Sequence, residues 1–123
     1  MSAMWGANKM KEMFVEQRPW GQFEQFTHNE QTTVKIITVK PGQQLSLQYH
    51  HHREEFWRVL SGQGEVVIGE DTIPATQGDN FHIPKKAIHR MQTQDKELVI
   101  LEIAYGNFDE EDIVRLEDKY GRS

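Results

Sequence analysis

Residues 42–62 read GQQLSLQYHHHREEFWRVLSG, and this stretch decides the fold. Gln48 and Tyr49 lead into three consecutive histidines, His50, His51 and His52, which run into Arg53, Glu54 and Glu55. No other part of the chain packs so much metal-ligand and proton-transfer chemistry into so few residues. Side chains alternate along a strand, so Gln48, His50 and His52 share one face while Tyr49 and His51 take the other. On the next segment Glu55, Trp57 and Val59 share a face, which lets Glu55 meet Gln48 and His50 across a narrow barrel. Imidazole, carboxylate and amide oxygen together suit one divalent ion (Zn, Mn, Fe, Co or Ni) and do not choose among them. Parity admits His50 and His52 alike as ligands. Leu45, Leu47 and Tyr49 then point outward and need a cover, from the N-terminal segment or a second subunit; we expect a homodimer built partly on this sheet.

Outward from this centre the chain reads as short strands. TTVKIITV, residues 32–39, is dense in β-branched residues. Further strands are expected at 22–27, 45–52, 55–60, 65–68, 71–75, 80–83, 89–93 and 97–105. Gly62, Gly64, Gly69 and Gly78 mark tight turns between them, and Pro74 marks an edge strand. Beyond residue 108, DEEDIVRLEDKYG predicts a short C-terminal helix, with Asp109 as its N-cap, acids in the first turn and Gly121 at its end. Many short strands with glycine turns indicate an all-β sandwich or barrel. We expect an N-terminal extension over 1–13 and a single domain over 14–123.

Composition narrows the function. A chain of 123 residues accommodates one core, and its net charge of -5 with scattered basic residues gives no footprint for nucleic acid. Cysteine is absent, so disulfides and thiolate sites are excluded. Apolar runs fall far short of the roughly 20 residues of a membrane span, and residues 1–14 hold no apolar core of a signal peptide. A soluble, cytoplasmic protein without membrane association is the expectation.

From Gly42, five residues lead to Gln48, one separates Gln48 from His50, four precede Glu55 and six precede Gly62. This resembles the first cupin motif, G-x5-H-x-H-x3-4-E-x6-G, with glutamine for the first histidine. GDNFHIPKKAIH, from Gly78, resembles the second, G-x5-P-x-G-x2-H-x3-N, with Lys86 at its glycine and Thr93 at its asparagine. The likeness implies a jelly-roll barrel and His89 as the fourth ligand beside Gln48, His50 and Glu55. His82, two residues before Pro84, reads equally as an acid-base group or a structural one, and His28 as solvated.

A narrower resemblance follows. LSLQYHHHREEFWRVLSGQGEV is similar to the signature Q-x-H-x-H-R-x-E-H-W-x-V-x-x-G of type II phosphomannose isomerases, with Phe56 in place of its histidine. RPWGQF at 18–23 and EEDIVRLEDKYGR at 110–122 resemble that family's opening and closing segments. The resemblance implies a metal-dependent isomerase converting mannose 6-phosphate to fructose 6-phosphate. The alternatives are a metal- or sugar-binding cupin without turnover, or an isomerase or epimerase of another phosphosugar. It implies a sugar phosphate as partner and catalytic roles at His52, Arg53 and Glu55, with His52 as proton shuttle or alternative ligand. Phosphate contacts fall to Arg53, Lys85, Lys86 and Arg90, and Glu102 is a possible inward acid. No G-x-G-x-x-G or G-x4-G-K-[ST] loop is present, so nucleotidyl transfer is not expected of this chain.

Overall fold

The structure is a computed structural model that describes residues 14–122. Among these residues there are ten strands and no helix. The expected extension over 1–13 lies outside the described residues. The chain separates into two compact units, Met1–Gln31 and Thr32–Ser123.

The described part of the first unit is a hairpin of β1 (Phe14–Arg18) and β2 (Gly21–Gln25), paired antiparallel from Phe14↔Gln25 to Arg18↔Gly21. Phe14 and Phe23 meet edge to face, with ring centroids 6.4 Å apart, and the Arg18 guanidinium lies 5.2 Å from the Phe23 centroid.

The second unit holds β3 (Thr32–Val39), β4 (Leu47–Tyr49), β5 (Glu54–Ile68), β6 (Asp71–Thr76), β7 (Asn80–Ile83), β8 (His89–Gln92), β9 (Leu98–Tyr105) and β10 (Val114–Glu117). The strands run in the order β10-β4-β8-β5-β9-β3, with β6 and β7 also on β5. The all-β expectation holds, and each pairing is antiparallel.

β5 is the hinge of the architecture. Its first half pairs with β9 and β7, from Glu54↔Tyr105 to Gly62↔Leu98, and its second half with β8 and β6, from Gln63↔Thr76 to Ile68↔His89. The sequence predicts two strands split by a turn at Gly62; one strand of 15 residues passes through instead. A register shift between Val59 and Ser61 bends the strand, and Gly62 at φ +84 lets the backbone pass against Glu97. A Cβ on Gly64 would likewise stand 2.6 Å from the Gln92 carbonyl oxygen, so Gly62 and Gly64 mark close approach between strands rather than a chain reversal. Trp57, Val59, Val66, Met91, Leu98 and Ile100 form the core where the halves meet, each at most 1% exposed. Each such side chain contributes about 1.5–3 kcal/mol through burial.

The expected C-terminal helix is not formed. Asp109 Oδ1 accepts the Glu111 N–H at 2.9 Å, closing a turn, and the chain then extends as β10 beside β4, with Val114 opposite Tyr49 and Arg115 opposite Gln48. A helix this short is marginal alone, whereas the β-branched pair Ile113-Val114 gains a ladder by pairing with β4. β4 is likewise shorter than expected. His51 and His52 leave the strand because their amides donate to the Asp112 carboxylate at 2.9 and 3.0 Å. Thr93, at the motif's asparagine position, closes a turn: its hydroxyl accepts the Gly42 N–H at 3.0 Å and donates to the Lys40 carbonyl at 2.9 Å. Among the described residues no helix is long and apolar enough to cross a membrane.

Candidate metal centre

β4, β8 and the first half of β5 converge on one cavity of about 380 Å³, lined among others by Gln48, His50, Arg53, Trp57, His89 and Glu102. Gln48 and His89 face each other across β4 and β8. One ligand atom each from His50, Glu55 and His89 lies within 4.8 Å of the others, on side chains buried to 2%, 1% and 3% exposure.

Hydrogen bonds fix both imidazoles. His50 Nδ1 lies 2.6 Å from the Asp112 carbonyl, and His89 Nδ1 lies 2.8 Å from the Ala87 carbonyl. A carbonyl only accepts, so each Nδ1 carries the proton and each Nε2 presents its lone pair to the interior. His50 Nε2 is 3.5 Å and His89 Nε2 3.8 Å from the Glu55 carboxylate. Burial pushes the His50 imidazolium down to about 4, reinforced by the charge of Arg53. His89 is lowered for the same first reason. Both rings are neutral at pH 7, as metal ligands must be. Bare nitrogen lone pairs converging on a carboxylate call for a cation, and the arrangement fits a divalent ion. Gln48, 9% exposed, lines the same cavity and turns its amide N–H to the Ser46 carbonyl at 3.5 Å.

Glu55 is held in turn. Its Oε1 accepts the Trp57 indole N–H at 3.1 Å, and its Oε2 accepts Arg53 Nε–H at 2.8 Å. Glu102 on β9 adds a second buried carboxyl. Burial, the charge of Glu55 and a hydrogen bond to it push Glu102 up to about 7. In the unfolded chain Glu102 ionises near its ordinary 4.5, so folding is fully supported below that pH and loses support as pH rises to about 7. In chelator, Glu102→Gln is therefore expected to be more stable than wild type at pH 8 by on the order of 2–3 kcal/mol. The gap should close by pH 4.5. Thermal melts at both pH values check this, and an equal gap at both would remove the titration from Glu102.

The remaining expected site residues separate. His52 is exposed and does not line the cavity; the turn that binds its amide to Asp112 takes it off the face of Gln48 and His50. Lys85 and Lys86 are exposed on the turn after β7 and also do not line it. Lys86 adopts φ +68 at the motif's glycine position, and its N–H donates to the His50 carbonyl at 2.7 Å, so the turn supports His50 through its backbone. Arg90 lies in the wall, 8% exposed, with Nε on the Leu45 carbonyl and Nη2 on Glu117 at 2.8 Å. His82 pairs with Glu54 at 2.5 Å on the sheet, away from the cavity lining. His28 is exposed beside Gln25 and Asn29.

Sequence reading missed Lys35, Phe108, Arg115 and Arg122 in the lining. Lys35 Nζ and Arg53 Cζ stand 4.3 and 4.5 Å from the Phe108 centroid. A signal existed for Lys35, since alternation places it on the face of Ile37 and Val39, where a charge stands out.

Fold and site together define a cupin: an all-β barrel with histidines and a carboxylate gathered inside it. The cupin BF4112 of Bacteroides fragilis superposes with TM-score 0.57 at 23% identity, over 63% of this chain and 70% of that one. The capsular polysaccharide assembling protein CapF of Staphylococcus aureus does so with TM-score 0.65 at 20% identity, over 85% and 34%. The chain belongs to the family described as "Mannose-6-phosphate isomerase C-terminal", which matches residues 6–118. Its relatives include the xanthan biosynthesis protein XanB of Xanthomonas campestris, 44% identical over 86% of this chain and 23% of that protein. The alginate biosynthesis protein AlgA of Pseudomonas aeruginosa is 44% identical over 86% and 22%. The mannose-1-phosphate guanylyltransferase ManC of Salmonella typhimurium is 40% identical over 85% and 22%.

These relatives correct the functional expectation. They are named for guanylyltransferase activity or polysaccharide biosynthesis rather than for conversion of mannose 6-phosphate to fructose 6-phosphate, and the chain spans under a quarter of their length. The sequence reading assigned an activity from a signature that marks one module of larger proteins.

Proposed function

We propose that this chain is a metal-binding module of the machinery that makes activated sugars for polysaccharides, and that its cavity binds a phosphorylated hexose. The observation that carries the reading is the convergence of one ligand atom each from His50, Glu55 and His89 within 4.8 Å beside a cavity lined by Lys35, Arg53 and Arg115. His50, Glu55 and His89, with Gln48, would hold the ion. A bound divalent ion would supply Lewis acidity toward a sugar hydroxyl or carbonyl oxygen. The chain's own groups do the rest. Asp112 and Ala87 keep both Nε2 atoms unprotonated, Trp57 orients Glu55, and Lys35 and Arg53 place positive charge for a phosphoryl group. Glu102, poised near 7, can hold or release a proton beside the ligand. The names of the relatives support a mannose phosphate as the ligand.

The test takes metal-stripped protein reloaded with Mn²⁺, Zn²⁺ or Co²⁺ and titrates mannose 6-phosphate, mannose 1-phosphate and unphosphorylated mannose. Metal-dependent binding of a phosphorylated sugar and not of mannose is expected. Incubation in D₂O then reads proton transfer as deuterium entering the sugar, which Glu102→Gln should slow. Metal binding with equal indifference to all three sugars would overturn the reading.

A further inference from the structure

One residue near the far end of the chain grips three consecutive histidines. The Asp112 carboxylate accepts the His51 N–H at 2.9 Å and the His52 N–H at 3.0 Å, and the Asp112 carbonyl accepts His50 Nδ1–H at 2.6 Å. We propose that Asp112 is a positioning residue of the metal centre. By holding the two amides, its carboxylate sets its own carbonyl on His50 and so keeps the His50 Nε2 lone pair free for an ion. The inference rests on the metal reading above and deepens it with a residue outside the cavity lining.

The neutral His50 ring has two places for its proton. On Nδ1 the proton meets the Asp112 carbonyl. On Nε2 it would face the Glu55 carboxylate, 3.5 Å away, and would block the ligand position. The Arg53 guanidinium beside the ring only donates, so it can hold neither proton. The placement of the Asp112 carbonyl therefore decides the tautomer. At His89 the same task falls to the carbonyl of Ala87, two residues away. At His50 the acceptor lies 62 residues along the chain and needs a fixture of its own. The carboxylate supplies one, because it shares a Cα with the carbonyl. Fastening the side chain to His51 and His52 fixes the backbone opposite His50, and both contacts are charge-assisted. The turn adds two backbone bonds, Asp112 N–H to the Asp109 carbonyl at 3.1 Å and Ile113 N–H to the Glu111 carbonyl at 2.9 Å. The His50 backbone is itself held by the Lys86 N–H on its carbonyl, so ring and acceptor are anchored independently.

The test compares wild type with Asp112→Ala and with Asp112→Asn, whose amide oxygen still accepts. Metal-stripped proteins are titrated calorimetrically with Mn²⁺. Asp112→Ala is expected to bind about 10–100-fold more weakly, the loss typical of a group that orients a ligand, and Asp112→Asn to recover part of it. Ring ¹⁵N spectra of the metal-free proteins give a readout that a merely structural role would not move. The His50 proton should sit on Nδ1 in wild type and shift toward Nε2 in Asp112→Ala, while His89, held by Ala87, keeps its proton on Nδ1. A folded Asp112→Ala with wild-type Mn²⁺ affinity, or with an unchanged His50 ring, overturns the proposal. Wild type supplies a readout that needs no variant. Ion and clamp favour the same tautomer, so Zn²⁺ should slow solvent exchange of the His51 and His52 amides. Zn²⁺ that binds and leaves both amides unchanged overturns the proposal too. No Mn²⁺ binding by any of the three proteins overturns the metal reading, and the His50 tautomer then decides the clamp by itself.

Discussion

His89→Ala is expected to bind a divalent ion at least ~100-fold more weakly than wild type, and His50→Ala to do the same. Losing a group that merely orients a ligand costs 10–100-fold in metal affinity, so losing a ligand costs more. The two rings lie 5.0 Å apart by centroid, and each is fixed by a carbonyl on Nδ1. The fold should survive. His89 also packs edge-on against Trp57 at 5.5 Å, and its truncation should cost on the order of 1–2 kcal/mol in chelator. Calorimetric titration with Mn²⁺, alongside thermal melts in chelator, separates the two effects. A folded His89→Ala with wild-type affinity would remove β8 from the centre.

Gly62→Ala should damage the fold more than any conservative change outside the core. A Cβ at this position would stand 1.9 Å from the Glu97 carbonyl oxygen and 2.8 Å from its carbon, both backbone atoms. Nothing flexible can yield, and the same carbonyl accepts the Gln63 N–H at 3.0 Å, so β9 would have to shift away from β5. The left-handed φ of +84 adds about 1–2 kcal/mol for any residue with a Cβ. The total should exceed ~3 kcal/mol, a loss of more than ~10 °C in Tm. Gly69→Ala is the control: its φ is +64, yet a Cβ there meets nothing within 4 Å. Circular-dichroism melts that place the two variants within ~2 °C of each other would contradict a close approach of β9 to Gly62.

How far the sequence carried the reading depended on whether a residue's neighbours were local. TTVKIITV predicted β3 with its full bounds, because β-branched density needs no knowledge of the partner strand. Parity on one short strand placed Gln48 and His50 together, and the motif spacing brought in Glu55 and His89. The same parity failed two residues later. His52 leaves the face because Asp112, 60 residues away, binds its amide, and no local pattern announces that contact. Gly62 was misread for a related reason. Glycine signals a left-handed or crowded backbone in either a turn or a strand crossing, and only the position of Glu97 tells them apart. The closing segment was misread as a helix because acids near a start resemble a cap, while its strand partner β4 lies far back in the chain. Arg115, which lines the cavity, went unnoticed with it.

The most direct measurement of the metal centre is pulsed EPR on metal-stripped protein loaded with one equivalent of Cu²⁺. The expected spectrum shows modulation from the remote nitrogens of two coordinated imidazoles, reduced to one in His50→Ala and in His89→Ala. A spectrum with no coordinated imidazole, or one unchanged by both substitutions, would contradict a centre built on His50, Glu55 and His89.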